Sequence, residues 1–272
     1  MSVCCARTEP RRRVRAMYRQ RSKVLANAPV APGHYVLRLE APKIAKASKP
    51  GQFVQLTCGD SCDPLLPRPF SFLDTDPQTI SILYHVVGQG TKLLSQLKKG
   101  DMIWVLGPLG KGFTLKHAGQ RLLVGGGVGI PPLYHLAKVL KGKKTEVFLG
   151  ARNKNLLLCE GGFKKIKTGL HLSTDDGSKG SKGFVTQSLE KYIQNVPTQS
   201  HSSLLIQTCG PTPMLKAVSQ LAAKYRIACE VSVEVPMACG FGACLGCAIK
   251  LKDRYAIACV EGPVFKGETI QW

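Results

Sequence analysis

Short β-rich runs dominate the chain from Val24 to about Leu115. Pro and Gly turns separate these runs at intervals typical of a small antiparallel barrel. One helical pattern interrupts them, opened by Thr91 and carrying leucines on one face. We therefore predict an antiparallel β-barrel over residues 20–118. Its strands are expected at Tyr35–Glu40, Gln52–Leu56, Thr79–Val87 and Met102–Leu106.

After Gly119, strands that are apolar along their whole length alternate with helical patterns. This alternation indicates a parallel sheet that helices cover on both faces. Such an arrangement is a nucleotide-binding architecture, and we predict it over residues 119–233. Strands are expected at Arg121–Val124, Thr145–Gly150, Leu170–Ser173, Leu204–Thr208 and Ile227–Val233, and helices near Pro132–Leu140, Thr186–Ile193 and Pro213–Lys224.

The last segment, residues 234–272, is rich in Gly and Cys. It is too short to bury a core of its own, so a covalent or metal staple is expected. The chain of 272 residues is thus predicted as a β-barrel, an α/β domain and a small C-terminal metal domain.

Four cysteines of this segment have the spacing of a plant-type [2Fe-2S] centre. Three of them form the pattern C-x4-C-x2-C, and a fourth follows after eleven further residues. Glycines between them allow a loop to curl around an inorganic core and to direct backbone N–H groups at its sulfurs. Structural zinc is the alternative, but it favours two close cysteine pairs, and inert cysteines are the other. The predicted cluster ligands are Cys239, Cys244, Cys247 and Cys259; Cys4, Cys5, Cys58, Cys62, Cys159 and Cys229 lack such spacing and are expected to be core or incidental.

Basic residues outnumber acidic ones by 38 to 17, which gives a formal net charge of +21 at pH 7. Many basic residues lie in the first 23 positions, where Glu9 is the one acidic residue. The remaining lysines are scattered, so a solvated basic surface is favoured over nucleic-acid binding or the steering of an acidic ligand. We expect residues 1–19 to be a disordered basic extension, or an over-extended start, and we expect no nucleic-acid partner.

The sequence also bears on the compartment. Residues 1–16 lack the apolar region of a secretory signal, and glycines and prolines break the longest apolar stretch, Leu122–Ala137. Eleven cysteines without such a signal favour metal or redox chemistry over a disulfide framework. We expect a cytoplasmic protein with no membrane partner.

A glycine-rich turn, Gly125–Pro132, lies between an expected strand and an expected helix. A pyrophosphate can bind the exposed N–H groups there, at the positive end of the helix dipole. A Rossmann dehydrogenase would also carry an acidic residue about twenty positions further on, where this chain has residues 150–153, Gly-Ala-Arg-Asn. That departure argues against an ordinary dehydrogenase.

The turn and a later Cys-Gly-Pro together resemble the pyridine-nucleotide domain of the ferredoxin-NADP reductase superfamily. In that family the Cys-Gly pair lies beside the nicotinamide ring. Asp175 and Asp176 would repel a 2′-phosphate, which favours NADH, although Arg152, Lys179 and Lys182 could attract one. The resemblance implies NAD contacts by Gly127, Val128, Gly129, Cys209, Gly210 and Pro211.

Electron counting predicts a flavin. A nicotinamide delivers two electrons as hydride, whereas a [2Fe-2S] centre accepts one at a time, and flavin can do both. The barrel carries Arg68-Pro69-Phe70-Ser71, which resembles the flavin motif of the same superfamily. There the arginine pairs with the flavin pyrophosphate, the aromatic residue packs on the cofactor and the serine approaches flavin N5.

Two further stretches are expected to line the FAD: Tyr84, His85 and Val86 on a strand, and Gly90 and Thr91 at a helix start. Each element has an ordinary alternative. Arg68 could be a surface ion-pair partner, Phe70 a core aromatic and His85 a satisfied barrel histidine. Their order ahead of a nicotinamide domain is what favours the flavin site.

The order barrel, nucleotide domain and C-terminal cluster loop resembles the electron-transfer subunit of NAD-dependent, type B dihydroorotate dehydrogenase. The resemblance covers about residues 20–272 and includes the Thr-Asp-Asp-Gly stretch from Thr174 and the closing Cys259-x-x-Gly262-Pro263. It implies a heterotetramer of two plus two subunits, in which electrons from an FMN-containing catalytic subunit pass through [2Fe-2S] and FAD to NAD+ in pyrimidine biosynthesis. Small subunits of NADH-dependent ferredoxin-NADP oxidoreductase and of sulfide dehydrogenase are the alternatives, and a non-enzymatic zinc or nucleic-acid-binding module is a remote one.

In this interpretation hydride passes directly between nicotinamide and flavin. No protein nucleophile or acid–base pair is required, so no catalytic residue is predicted. The polar side chains expected nearest the transfer are Ser71 and Cys209.

Overall fold

The computed structural model describes residues 16–59, 63–142, 144–166 and 168–272. Most of the predicted basic extension lies outside the described residues, as do Cys4, Cys5 and Cys62. Seven strands and two helices form from the first part of the described chain. They are β1 (Tyr18–Ala31), β2 (His34–Glu40), α1 (Pro42–Ala47), β3 (Phe53–Leu56), β4 (Arg68–Ser71), β5 (Asp74–Thr75), β6 (Thr79–His85), α2 (Gln89–Gln96) and β7 (Met102–Leu109).

These strands form one antiparallel sheet in the order β4-β3-β7-β1-β2-β6-β5. The sheet curls until β4 contacts β6, which confirms the predicted barrel-like layer. Alternation of side chains produces its core, as in β2, where Leu37 and Leu39 are fully buried and Arg38 is exposed.

β1 begins at Tyr18, so Tyr18 and Arg19 belong to the sheet and not to the predicted extension. Arg19 pairs with Leu106 of β7, and its guanidinium carbon lies 4.1 Å from the centre of the Trp104 ring. Ladder pairing and this cation–π contact order a segment whose basic composition suggested disorder.

The second sheet contains the predicted parallel strands, which follow the first sheet in the chain. Its elements are β8 (Arg121–Gly126), α3 (Ile130–Val139), β9 (Thr145–Ala151), α4 (Glu160–Ile166), β10 (Gly169–Thr174), β11 (Ser181–Lys182), α5 (Val185–Gln194), β12 (Leu205–Cys209), α6 (Thr212–Lys224) and β13 (Ala228–Ser232). All six residues of β8 are buried, as expected for a central strand covered on both faces.

Helix α4 was not predicted, because its sequence starts Glu160-Gly161-Gly162 and glycine disfavours helix. Packing overrides that preference. Phe163 is fully buried and meets the Tyr134 ring edge-on, with the ring centres 5.3 Å apart. A Cβ at position 162 would stand 2.5 Å from the Tyr134 ring, so a glycine permits this contact.

The C-terminal segment adds β14 (Ala248–Lys250), β15 (Tyr255–Ile257), α7 (Ala258–Glu261) and β16 (Val264–Lys266). Strands β14 and β15 form a small hairpin, whereas β16 pairs antiparallel with β13. The second sheet therefore has the order β11-β10-β9-β8-β12-β13-β16. The segment predicted as a separate small domain completes the edge of the nucleotide-binding sheet.

Two polar contacts join β5 of the first sheet to α3 of the second. The Lys138 ammonium donates to both carboxylate oxygens of Asp74, at 2.7 and 2.6 Å. One turn earlier, Nε2 of the buried His135 lies 3.3 Å from the Thr75 hydroxyl. Burial lowers the pKa of His135 to about 4. Helix α3 follows the glycine-rich turn, so these contacts hold that turn in place relative to the first sheet.

Candidate functional site

A cavity of about 430 Å³ lies where the three segments of the chain meet. Ten of the predicted site residues line it, and they come from both sheets. Its wall contains Arg68, Pro69, Phe70, Ser71, Tyr84, His85, Thr91, Val128, Gly129 and Cys209 among the predicted residues.

Of the residues predicted to bind FAD or NAD, five do not line this cavity: Val86, Gly90, Gly127, Gly210 and Pro211. Val86 donates its backbone N–H to the Gly33 carbonyl at 2.8 Å, and the next residue, Val87, lies on the cavity wall instead. Strand β6 ends at His85, two residues before the predicted end at Val87, so Val86 lies outside the strand.

Sequence reasoning missed the wall formed by residues 232–237, which leads from the end of β13 towards the cluster cysteines. The sequence did contain a signal for this wall: residues 232–237 begin at the carboxyl end of a predicted parallel strand, and ligands of such sheets bind beyond those ends. Phe53, Leu83 and Pro263 complete the lining and had no signal of their own.

Arg68 begins β4 beside the N-terminus of α2. Its guanidinium donates to the Leu66 carbonyl at 2.7 Å, and a Cβ built at Gly90 would lie 3.3 Å from Arg68 Nε. A guanidinium and the positive end of a helix dipole thus meet at one place. This combination suits a pyrophosphate.

The start of α2 is held by Thr91. Its hydroxyl oxygen accepts from the backbone N–H groups of Val87 at 3.0 Å and Gly88 at 3.1 Å, and the hydroxyl lies 3.0 Å from the Gly88 carbonyl. In a capping box, a side chain in the first turn of the helix accepts a hydrogen bond from the backbone N–H of the capping residue, and Thr91 does this for Gly88. Thr91 therefore fixes the loop as well as lining the cavity.

Aromatic rings form the barrel side of the cavity. Phe70 meets Tyr84 edge-on, with the ring centres 5.9 Å apart. Burial raises the pKa of Tyr84 to about 12, and its hydroxyl donates to Asn27 Oδ1 at 3.1 Å. Tyr84 is therefore uncharged at physiological pH, and its hydrogen bond to Asn27 holds its ring in place in the cavity wall.

His85 is exposed at the cavity rim and stacks on His34, with the ring centres 4.3 Å apart and the planes 6° from parallel. Nδ1 of His34 lies 2.7 Å from the Pro32 carbonyl. Partial burial and the neighbouring His34 lower the pKa of His85. A stacked, neutral imidazole can meet an uncharged ring system without charge repulsion.

The glycine-rich turn meets the Cys-Gly turn after β12 at backbone contact. Gly127 adopts a φ of 54°, a region that favours glycine. A Cβ at Gly129 would clash with the backbone of Cys209 and Gly210. Pro131 and Pro132 occupy the first turn of α3, where proline is tolerated. Close packing of the two nucleotide-facing turns therefore requires glycine at position 129.

Cys209 lies at the end of β12 and is almost fully buried. Burial raises its pKa to about 12; a hydrogen bond with Ser232 opposes the rise and the Glu234 charge adds to it. The side chain is therefore a neutral thiol at physiological pH. It can pack beside a ring, but it is poorly suited to act as a nucleophile.

The cluster loop places its thiols in two pairs. Cys239 is hydrogen-bonded to Cys244, and the Cys259 backbone N–H donates to the Cys247 sulfur at 3.4 Å. Among the described residues, no three His, Cys, Asp or Glu side chains gather around a point that could hold a single metal ion. Two thiol pairs suit a two-iron centre better than they suit one zinc ion.

The backbone of the loop favours thiolate. Burial alone would raise the pKa of Cys239, but N–H groups of Cys244, Phe241 and Ala243 point at its sulfur and bring the pKa down to about 6. Positive φ angles at Gly240 and Gly242, 80° and 92°, produce the required curl.

Exposure differs among the four thiols. Cys247 and Cys259 are buried, and burial together with the neighbouring Cys247 thiol raises the pKa of Cys259 to about 12. Cys244 is exposed. The loop therefore has an inner pair against the protein and an outer pair near the surface, and its donor set fits a [2Fe-2S] cluster.

Comparison with known families matches two segments of the chain. Residues 234–271 match the iron-sulfur cluster binding domain of dihydroorotate dehydrogenase B, and residues 123–220 match the oxidoreductase NAD-binding domain. The first match contains all four predicted cluster cysteines. The second contains the glycine-rich turn and the Cys-Gly-Pro turn.

Curated relatives match nearly the whole chain. The dihydroorotate dehydrogenase B (NAD(+)) electron transfer subunit of Desulforamulus reducens is 40% identical over 260 residues, covering 92% of this chain and 97% of that protein. The chain belongs to this family of electron transfer subunits. The subunit of the same name from Caldanaerobacter subterraneus is 39% identical, covering 93% of this chain and 98% of that protein.

A solved structure of the same architecture is that of an NADH-dependent reduced ferredoxin-NADP oxidoreductase, described in terms of flavin-based electron bifurcation. It is 33% identical, has a TM-score of 0.82 and covers 92% of this chain and 90% of that chain. That likeness accounts for the alternative raised by the sequence. The dihydroorotate dehydrogenase B subunits match at higher identity.

These comparisons confirm the predicted family, the fold class and the set of cofactors, namely FAD, a [2Fe-2S] cluster and NAD. The chain is an electron-transfer subunit of an NAD+-dependent oxidoreductase, and such a subunit implies a catalytic partner. None of the helices in the described ranges has an apolar stretch of the length that crossing a bilayer requires.

Proposed function

We propose that this chain receives electrons from an FMN-containing dihydroorotate dehydrogenase subunit and passes them through [2Fe-2S] and FAD to NAD+. The observation that carries this proposal is the 430 Å³ cavity, whose wall combines the flavin motif, the nicotinamide turns and the segment leading to the cluster cysteines. Three cofactors that exchange electrons need sites this close together.

For FAD, we assign the pyrophosphate to Arg68 and the N-terminus of α2, and the ring to the wall formed by Phe70, Ser71 and Tyr84. FAD, when bound, supplies the exchange between a hydride and single electrons. The protein's part is to hold the ring still. Tyr84 serves this because its hydroxyl is fixed by Asn27 and its body is buried.

For NAD, we assign the pyrophosphate to the turn before α3, and the nicotinamide to the space between Cys209 and the flavin motif. The two turns touch at Gly129, so the positions of Val128 and Cys209 on the wall depend on each other. The wall of residues 232–237 covers this space and limits water near the reacting rings. Alignment of two rings is then the main contribution of the protein to the rate.

For the cluster, we assign the two thiol pairs as ligands, one pair for each iron. A second cavity of about 470 Å³ lies beside the outer pair and is lined by Leu66, Trp104 and Phe241. Leu65 and Leu245 are exposed nearby in the chain, at 73% and 59% of their surface. We propose that the catalytic subunit covers this apolar surface, so that electrons enter at Cys244.

The proposed assembly is a heterotetramer with two copies of each subunit, as the sequence resemblance implies. We propose the cytoplasm as its compartment. All eight cysteines in the described part of the chain are free thiols, and a metal centre that depends on four of them needs a reducing environment.

Replacement of Cys244 tests this scheme. In the full chain, Cys244→Ser should remove most of the iron-sulfur absorbance and most of the electron transfer from dihydroorotate and the partner subunit to NAD+. NADH-dependent dye reduction through the flavin should stay within about twofold, because the cavity lies on the inner side of the loop. Absorbance spectra, iron analysis and both rates provide the measurement.

Cys159→Ser is the matched control, since this thiol lies in the nucleotide-binding domain away from the cluster loop. It should leave both rates and the iron content unchanged. An intact iron-sulfur spectrum in Cys244→Ser would contradict the ligand assignment. Purification of the native chain with a partner other than a flavin-containing dihydroorotate dehydrogenase would contradict the partner.

Purification with a different partner would favour a second candidate function, the small subunit of an NADH-dependent ferredoxin-NADP oxidoreductase. The likeness to the NADH-dependent ferredoxin-NADP oxidoreductase structure covers 92% of this chain. A small subunit of that type would use the same three sites with a different large subunit.

A further inference from the structure

Gln55 lies on β3 between the flavin-motif strand and the cluster loop. It pairs with Pro69 of β4, and its neighbour Val54 points into the barrel core. Side chains alternate along a strand, so Gln55 shares the opposite face with Phe53. Phe53 packs against Cys247 and Cys259 and also lines the 430 Å³ cavity. This face of β3 is therefore the barrel's contact with the cluster segment.

The Gln55 side chain contacts Ala238 and Gly240, the two residues that flank Cys239. Its Nε2 donates to the Ala238 carbonyl in a long contact of 3.5 Å. A Cβ at Gly240 would lie 2.7 Å from Gln55 Cγ and 3.0 Å from Nε2. Ala238 and Gly240 flank Cys239, and Gln55 lines the 470 Å³ cavity together with Cys239 and Cys244.

The carboxamide of Gln55 is nevertheless poorly bonded by the protein. The residue is 1% exposed, yet its Oε1 has no hydrogen-bond partner among the described residues, and its Nε2 has only the long bond to Ala238. A buried amide in that condition destabilises the fold, because its lost hydrogen bonds to water are not replaced. An apolar side chain of similar size would serve the packing better.

Gln52, three residues earlier, provides the contrast. It is also buried, but its Nε2 donates to the Gly110 carbonyl at 2.9 Å and its Oε1 accepts from the Lys49 N–H at 2.8 Å. A buried glutamine of this barrel can thus be fully satisfied by protein groups. The unpartnered Oε1 is an acceptor, so it cannot itself bond to sulfur. Gln55 Nε2, however, carries two N–H groups and has one acceptor among the described residues, so its other N–H can donate to a group on the side where the cluster thiols lie.

We propose that Gln55 contacts the bound cluster directly: its amide N–H group donates to sulfur on the Cys239 side and stabilises the reduced centre. Sulfur bound to iron is an acceptor, and the Gln55 Nε2 has a second N–H beyond the one directed at Ala238. Reduction adds negative charge to the cluster, so a donor favours the reduced form and raises its potential. This inference rests on the [2Fe-2S] site proposed above.

The test is the reduction potential of the cluster in the full chain with iron and flavin bound. Gln55→Leu keeps the size of the side chain and removes both N–H groups. Spectroscopically monitored redox titration should show the cluster reduced at lower potential, with an equilibrium constant for reduction about tenfold smaller. Iron content and NADH-dependent dye reduction should match the unaltered protein. Gln52→Leu is the control and should leave the potential unchanged.

Gln55→Glu is the second variant, because it preserves the shape of the side chain and also lacks the N–H donor when ionised. Gln55→Glu should lower the reduction potential of the cluster at least as far as Gln55→Leu does. If the Gln55→Leu protein loses iron, the potential of the Gln55→Glu protein is the test. An unchanged potential in an iron-loaded variant would overturn the proposal. Loss of iron from both variants would overturn it in favour of a purely structural contact. Absence of a [2Fe-2S] spectrum from the unaltered protein would instead contradict the proposed function.

Discussion

At the scale of single residues, Gly129 is the point where the two nucleotide-facing turns touch. Its Cα lies against the backbone of Cys209 and Gly210, and no side chain fits between them. Both turns follow carboxyl ends of adjacent parallel strands, so their separation sets the width of the proposed nicotinamide site. A change of one methyl group is therefore enough to alter it.

We predict that Gly129→Ala raises the KM for NADH in dye reduction about tenfold or more, because the added methyl group must push the two turns apart. Steady-state kinetics with NADH measures this. Gly161→Ala is the control, since a Cβ there meets no atom of the described residues within 4 Å and alanine favours the helix. An unchanged KM in Gly129→Ala would mean that the turns do not bound the nicotinamide site.

At the scale of elements, the N-terminus of α2 combines a structural and a binding role. The helix has no acidic residue in its first turn, and a hydroxyl inside the helix, from Thr91, satisfies the loop N–H groups that precede it. The helix start is thereby left open to an anion. Arg68 approaches the same place from β4.

Thr91→Ala should lower the free energy of unfolding by about 1 kcal/mol, the usual cost of losing a capping group, and should weaken FAD retention several-fold. Urea denaturation and flavin release on dilution measure the two effects. Ser95→Ala on the same helix should change either quantity little, because the Ser95 hydroxyl donates to the Lys92 carbonyl within the helix and satisfies no loop N–H group among the described residues. Equal effects of the two substitutions would contradict the special role of Thr91.

Elements with a strong local signal were predictable from the sequence. After Arg121, buried β8 is a run of apolar residues ending in glycines, and the cysteine spacing alone located the cluster loop. Elements decided by long-range packing were not. Helix α4 depends on the fit of Phe163 against Tyr134, and β16 depends on pairing with β13. The cavity wall at residues 232–237 was missed for the same reason, since its position follows from where the chain leaves the sheet.

At the scale of the whole molecule, the contact between β5 and α3 relates the flavin-binding sheet to the nucleotide-binding sheet. An exposed ion pair, Lys138 with Asp74, contributes little free energy by itself. His135 lies deeper, with Phe72 edge-on at 6.2 Å between ring centres, and the charges of Asp74 and Lys138 act on its pKa in opposite directions. Protonation of His135 is thus expected to weaken the packing of α3 against β5, where the two sheets meet.

The pKa of His135 is lowered from 6.5 to about 4 by burial, so the unfolded chain binds this proton more readily than the folded chain. The associated stability is present above pH 6.5 and is lost as the pH falls towards 4, by up to about 3 kcal/mol. We predict that His135→Leu flattens the fall in unfolding free energy between pH 6.5 and 4. Urea titrations at several pH values measure it, and parallel curves for the two proteins would contradict the assignment.

The pairing of β16 with β13 has a consequence for synthesis of the chain. Without β16, the edge of the sheet would present the open N–H and C=O groups of β13, which is a template for pairing with other molecules. That edge stays uncovered on the ribosome until the residues beyond the last cluster cysteine have emerged. A nascent chain that has not yet released Val264–Lys266 therefore exposes a pairing template at this edge, and covering it depends on a strand that is synthesised after every other strand of the sheet.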